Sequence, residues 1–205
     1  MEQHSYLLRI LHLGLRGVVF LTMDLPFRLF GVRKEHIALR HTEIFLVSTT
    51  LLFIFLVAAY QYFPGIGWGI VILGNLRILQ VISINLMTIL FDFTPIRSGA
   101  AAERRVRWHF IALAFSFFDV VLIFGFKYQF YDSLFQIMNQ QGMEFLDYLY
   151  YSLMTMTTIG YGDIHPVNSI GQLVSMYQAV VALFFLIFAV TGALSRLHQQ
   201  AMKSD

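Results

Sequence analysis

Residues 157–163 read Thr-Thr-Ile-Gly-Tyr-Gly-Asp, with two glycines at alternate positions, Gly160 and Gly162. Glycine reaches backbone dihedrals closed to other L-residues, so such a strand can aim successive carbonyls to one side instead of alternating them. Four strands of this kind make rings of oxygen from Thr158, Ile159, Gly160 and Tyr161, with the Thr158 hydroxyl below them and Gly162 closing the run. Rings like these replace the water shell of a dehydrated cation. That is coordination chemistry; no catalytic residues, and no enzyme, are expected. The chain has no cysteine, which excludes disulfides, iron–sulfur clusters and thiol nucleophiles.

A loop of bare carbonyls must be held, and at membrane depth irregular backbone is tolerated only where protein or a water-filled pore satisfies it. The composition places it there: 58% of the 205 residues are hydrophobic and 13% charged. Mean hydropathy is +0.67, far too apolar for a soluble domain of this size. A helix needs roughly 20 apolar residues to cross the hydrocarbon, and four stretches qualify, at 43–63, 66–92, 107–127 and 168–195. Phe63-Pro64-Gly65 reverses the chain between the first two, giving a hairpin over 43–92. A polar linker, 93–106, carries Pro95, Gly99, Arg104 and Arg105. The segment 144–157 is roughly 20 Å long if helical, too short to span, so it must enter and return. The expected fold is therefore an all-α membrane protein: four transmembrane helices, a re-entrant helix over 144–156 and the loop that follows it.

Lysine and arginine set the orientation. With the N-terminus inside, Arg9, Arg16, Arg28, Arg33, Lys34, Arg40, Arg97, Arg104, Arg105, Arg107, Arg196 and Lys203 all lie inside and Lys127 alone outside. Both termini are then cytoplasmic, in a multi-pass protein of the cell membrane. No cleavable signal peptide is expected, nor a further domain after 196–205. In segment 1–42, Ser5, Arg9, His12 and Arg16 share a narrow arc while leucines cover the rest, the pattern of an interfacial amphipathic helix facing anionic lipids. It serves either as an anchor or as a lever coupled to lipid.

The residues from Glu144 to Gln172, with TTIGYGD at their centre, resemble the pore loop of the potassium-channel superfamily. The resemblance covers about the last hundred residues and implies a potassium-selective channel. Its pore domain, 107–195, has an outer helix, a pore helix, a filter at 158–162 and an inner helix at 168–195. Because one chain carries one filter motif, four copies must close the ring as a homotetramer. Potassium is implied at the filter only, as the permeant ion; no cofactor and no nucleic acid partner is implied. The resemblance also places Thr157 and Asp163 beside the filter, puts Tyr150 and Tyr151 in an aromatic cuff, and suggests a Tyr151–Asp163 hydrogen bond. Where some relatives carry a pore-helix glutamate that pairs with the filter aspartate, this chain has Met154. His165 would face the mouth. On the inner helix Leu183, Leu186, Ile187, Val190 and Leu194 recur at helical spacing and line the cavity. Relatives often hinge at a glycine near the position of Ala182; here Gly192 is the candidate lower down.

The hairpin weakly resembles the last two helices of a voltage sensor, with Arg77 and Gln80 on one face. One arginine per subunit, crossing the full field in four copies, supplies about 9 kcal/mol per 100 mV at most, too little for steep voltage dependence. Arg77 and Asp119 sit at similar depths, about 16 and 12 Å from the outer ends of their helices. They form either an intramembrane ion pair or two separate contacts with water, Asn75 or Ser116.

Four other readings compete. A haem-bearing electron carrier needs facing histidines, but His4, His12, His36, His41, His109, His165 and His198 lie at or outside span ends. A transporter with repeated pore loops needs four motifs in one chain. A non-selective cation channel and a non-conducting structural subunit share this sequence and differ only in flux.

Overall fold

The computed structural model describes residues 3–19, 39–90, 100–137 and 142–204. Its helices are α1 (Gln3–Val19), α2 (Leu39–Tyr60), α3 (Gly67–Leu90), α4 (Ala100–Phe130), α5 (Phe145–Met156) and α6 (Ser169–Ser204). Two short strands, β1 (Phe135–Ile137) and β2 (Ile164–Pro166), pair antiparallel with Phe135 opposite Pro166 and Gln136 opposite His165. This small ladder is an addition to the all-α architecture that hydropathy suggested.

Three helices are long and apolar enough to cross a membrane among the described residues: Pro64–Leu86, Phe110–Phe130 and Ser169–Thr191. The remaining expected span, 43–63, falls on α2, which is apolar over Val47–Tyr60. The side chains of residues 39–46 lie outside the described set, as do residues 20–38 with Arg28, Arg33 and Lys34. The α2–α3 reversal occurs where the sequence asks for it, in a 3-10 turn at Pro64–Ile66.

α4 is the hub. It packs against α2, α3, α5 and α6, and its Val120, Phe124, Phe126 and Tyr128 are fully buried. Lipid tails are as apolar as leucine, so close packing and polar contacts, not escape from water, hold such helices together. Aromatic edges supply part of that contact: Phe126 meets Tyr60 at 5.1 Å and Phe53 at 6.4 Å, joining α2 to α4. The approach of α5 is closer still, because a Cβ on Gly125 would lie 2.6 Å from Leu149 Cδ2 and 3.3 Å from Leu149 Cα.

Several boundaries differ from the sequence reading. α4 begins at Ala100, so the later part of the expected 93–106 linker is helix, while residues 91–99 lie outside the described set. α6 runs on to Ser204 instead of stopping at 195, and so includes most of the expected 196–205 tail. α1 packs along α3. On it Arg9 and Arg16 are exposed and His12 is half-buried, with Ile10 and Leu13 exposed on another face. One flank of the amphipathic helix is therefore committed to protein, which a purely interfacial helix would not show.

Candidate functional site

α5 spans 12 residues, about 18 Å at 1.5 Å per residue, so it ends inside the helix bundle. Its start is fixed at Glu144, whose N–H donates to Asp147 Oδ2 at 2.8 Å. Asp147 in the first turn also complements the positive end of the helix dipole. At the other end the chain hangs from carbonyls that have no helical partner. Thr157 N–H donates to the Leu153 carbonyl (2.9 Å) and Thr158 N–H to Thr155 (3.2 Å), while Ile159 and Gly160 N–H both donate to Met154 (3.0 and 3.3 Å). Any shift of the C-terminal turn of α5 therefore carries the loop with it.

Through the loop the backbone alternates in hand. Thr158, Gly160 and Gly162 have φ of +59°, +56° and +81°, while Ile159 and Tyr161 between them keep negative φ. Two of the three left-handed positions are glycines, for which that region carries no Cβ penalty. Thr158 is the described non-glycine residue with positive φ, and at such a residue the conformation costs about 1–2 kcal/mol. All five residues, 158–162, are exposed in the isolated chain.

Behind the loop the two tyrosines meet different partners. The Tyr150 hydroxyl hydrogen-bonds Asp163. This bond, then desolvation and the carboxylate charge, raises the Tyr150 phenol above its usual range. Tyr151 instead meets Ser175 of α6, Oη to Oγ 2.9 Å, and stacks at a tilt on Tyr128, 4.8 Å between ring centres. Tyr148 is buried and donates to Asp132, in the turn just after α4; burial, then this bond, pushes its phenol up. His165 is exposed on β2.

A second, deeper set of contacts joins three helices. Tyr128 of α4 donates its O–H to Gln178 Oε1. Gln178 Nε2 donates to the Ser152 carbonyl at 2.8 Å and to Ser152 Oγ at 2.9 Å. Ser152 Oγ–H then donates to the Val121 carbonyl, back on α4, at 2.8 Å. Tyr128, Ser152 and Gln178 are all fully buried. The sequence reading passed over this circuit, although a lone amide in an apolar helix was the signal for it.

Residues 116–199 match the family described as ion channel. Across that stretch the chain is similar to ion channels. The chain matches no curated protein and no solved structure. The matched segment takes in about half of α4, all of α5, the loop and α6 to residue 199, and leaves the α2–α3 hairpin outside.

That hairpin is fastened to the channel segment by charge. Arg77 Nη2 and Nε lie 3.0 and 3.1 Å from Asp119 Oδ2, and Arg77 Nη1 donates to Gln80 Oε1 at 2.9 Å. The Arg77 and Asp119 side chains are 10% and 5% exposed, so the pair is shielded. Gln80 Nε2 is buried without a partner. Asn75 is taken by a different cation: Lys127 Nζ donates to its Oδ1 at 2.8 Å. Lys127, expected as a charge at the outer surface, is 3% exposed and sits 4.3 Å from the Phe124 ring centre and 4.6 Å from that of Tyr177. Aromatic faces can accommodate a cation that lacks a carboxylate.

On α6, Leu183, Leu186, Ile187 and Val190 are exposed in the single chain, while Ala182 is buried. Gly192 and Leu194 lie on the helix, with side chains outside the described residues.

Proposed function

We propose that the chain is one subunit of a homotetrameric channel that conducts K⁺ passively across the cell membrane, with 158–162 as its selectivity filter. The observation that carries this reading is the alternating hand of the loop, positive φ at Thr158, Gly160 and Gly162 with negative φ between. Residues of alternating hand turn neighbouring carbonyls toward a common side, the arrangement needed to ring an ion with oxygen. Four copies offer Thr158, Ile159, Gly160 and Tyr161 carbonyls and the Thr158 hydroxyl in place of water. The Tyr150–Asp163 bond behind the loop and the α5 carbonyls below it hold the rings at the spacing that suits K⁺. Thr157 Oγ1 is engaged by the Leu153 carbonyl at 2.8 Å, so Thr157 supports the loop as a stop on α5 and not as an ion ligand.

In this reading Leu183, Leu186, Ile187 and Val190 face the conduction path or neighbouring copies, and a dry constriction near Val190 and Leu194 closes the pore by dewetting. Gly192 is the candidate bend. Both termini are cytoplasmic and the basic N-terminal segment meets anionic lipids. Gating is leak-like or weakly voltage-dependent.

The test is reconstitution into vesicles with cation flux under K⁺ or Na⁺ gradients, with particle imaging of the same sample. K⁺ flux well above Na⁺ flux from a fourfold particle is expected. Equal passage of both ions identifies a non-selective cation channel, and no flux a structural subunit; either ends the K⁺-selective reading.

A further inference from the structure

We propose that Gln178 is a positioning residue for the selectivity of the 158–162 loop: its side-chain amide locks α6 to α5 and so fixes the height from which the loop hangs. This rests on reading the loop as a K⁺ filter.

A primary amide offers one acceptor oxygen and two N–H donors in a neutral group. Gln178 uses all three: Oε1 accepts from Tyr128, and Nε2 donates to the Ser152 carbonyl and to Ser152 Oγ. The direction of every bond in the circuit is therefore set. Tyr128 O–H begins it, Ser152 Oγ–H ends it on the Val121 carbonyl, and both ends lie on α4 two turns apart. α4 acts as the frame, and the amide is the bridge that brings α6 into register with α5. Ser152 directly precedes Leu153, Met154 and Thr155, whose carbonyls hold the N–H groups of residues 157–160. A displacement of Ser152 is thus passed directly to the oxygen rings. The whole circuit is shielded from solvent, where an unpaired polar group is most costly and a satisfied network most rigid.

The test uses the full chain reconstituted in planar bilayers, reading the K⁺/Na⁺ permeability ratio from reversal potentials. Gln178→Leu keeps the volume and removes every bond; the ratio is expected to fall by about tenfold or more, with the fourfold particle intact. Gln178→Glu is the sharper variant. As a carboxylate it still accepts from Tyr128 but opposes the Ser152 carbonyl. Burial favours its neutral form, which donates an O–H to that carbonyl. Its ratio is therefore expected to be low at about pH 8 and to recover toward the wild-type value as pH falls through the elevated pKa of a buried glutamate, with the wild type measured beside it at each pH. The titratable groups around this position are Tyr128, which donates to Gln178, Tyr151 against the Tyr128 ring, and Lys127 against the ring of the neighbouring Tyr177.

If Gln178→Leu does not assemble, the pH series of Gln178→Glu decides alone, because a loss of packing would not recover with acid. Wild-type ratios in both variants at every pH, or a loss in Gln178→Glu that acid does not reverse, overturn the positioning role. A wild type that passes Na⁺ as readily as K⁺ removes the filter reading and this inference together. A selective wild type with unaffected variants removes this inference alone.

Discussion

A methyl group at position 160 would have to be carried by a backbone at φ +56°, where no described residue of the same chain lies within 4 Å to clash with it. The cost of Gly160→Ala is thus conformational, about 1–2 kcal/mol per chain, and is met by the loop rotating away. On the proposed reading, K⁺ flux is expected to fall by about tenfold or more with the fourfold particle unchanged, as flux and imaging together would report. The buried pair gives a second expectation. Asp119→Ala leaves the Arg77 guanidinium without its carboxylate and should cost about 3–5 kcal/mol, seen as a lower thermal midpoint in detergent. Replacing both residues, Arg77→Met with Asp119→Leu, should recover most of that loss, since a buried pair is worth little more than well-packed apolar side chains. Among single residues, the loop glycines were legible because their conformational demand is written in the residue type. The Tyr150–Asp163 bond was not, because choosing between neighbouring tyrosines requires the rotation of α5 about its own axis. The partners of Gln178 were illegible for a related reason: they come from two other helices, and no spacing along the chain encodes them.

At the scale of elements, the approach of α5 to α4 depends on the missing side chain at Gly125. Gly125→Ala places a Cβ 2.6 Å from Leu149 Cδ2, and overpacking of that kind costs about 1–3 kcal/mol. A lower thermal midpoint is expected. Leu149→Ala in the same chain should restore part of it, because the flexible contact is removed while the 3.3 Å approach to Leu149 Cα remains. The hairpin turn and the ends of α5 were readable from Pro64-Gly65 and from Glu144 onward. The start of α4 was not. Hydropathy marks where a helix enters hydrocarbon, whereas Ala100, Ala101, Ala102, Glu103 and Arg104 are good helix formers that extend it beyond the apolar stretch. The packing of α1 on α3 escaped for the same kind of reason, since an amphipathic pattern states that one face is apolar and not which surface covers it.

For the whole molecule, the hairpin is a fixture. Its arginine is held by Asp119 and Gln80, and its Asn75 by Lys127, so little charge is free to cross the field. Currents in bilayers are expected to follow the ionic driving force from about −100 to +100 mV, without the sigmoidal activation that several mobile charges per subunit produce. A steep rise in open probability with voltage would mean that Arg77 leaves Asp119. The same fastening bears on how the protein is made. A carboxylate or ammonium entering lipid alone costs about 2.5–3.5 kcal/mol at the centre of a helix, and α4 carries Asp119 and Lys127, both buried in the finished fold. During synthesis α3 emerges first, so Arg77 and Asn75 already wait in the bilayer when α4 leaves the insertion machinery. The hairpin thereby works as a built-in escort, giving the carboxylate of its successor a counter-charge and the ammonium a polar partner.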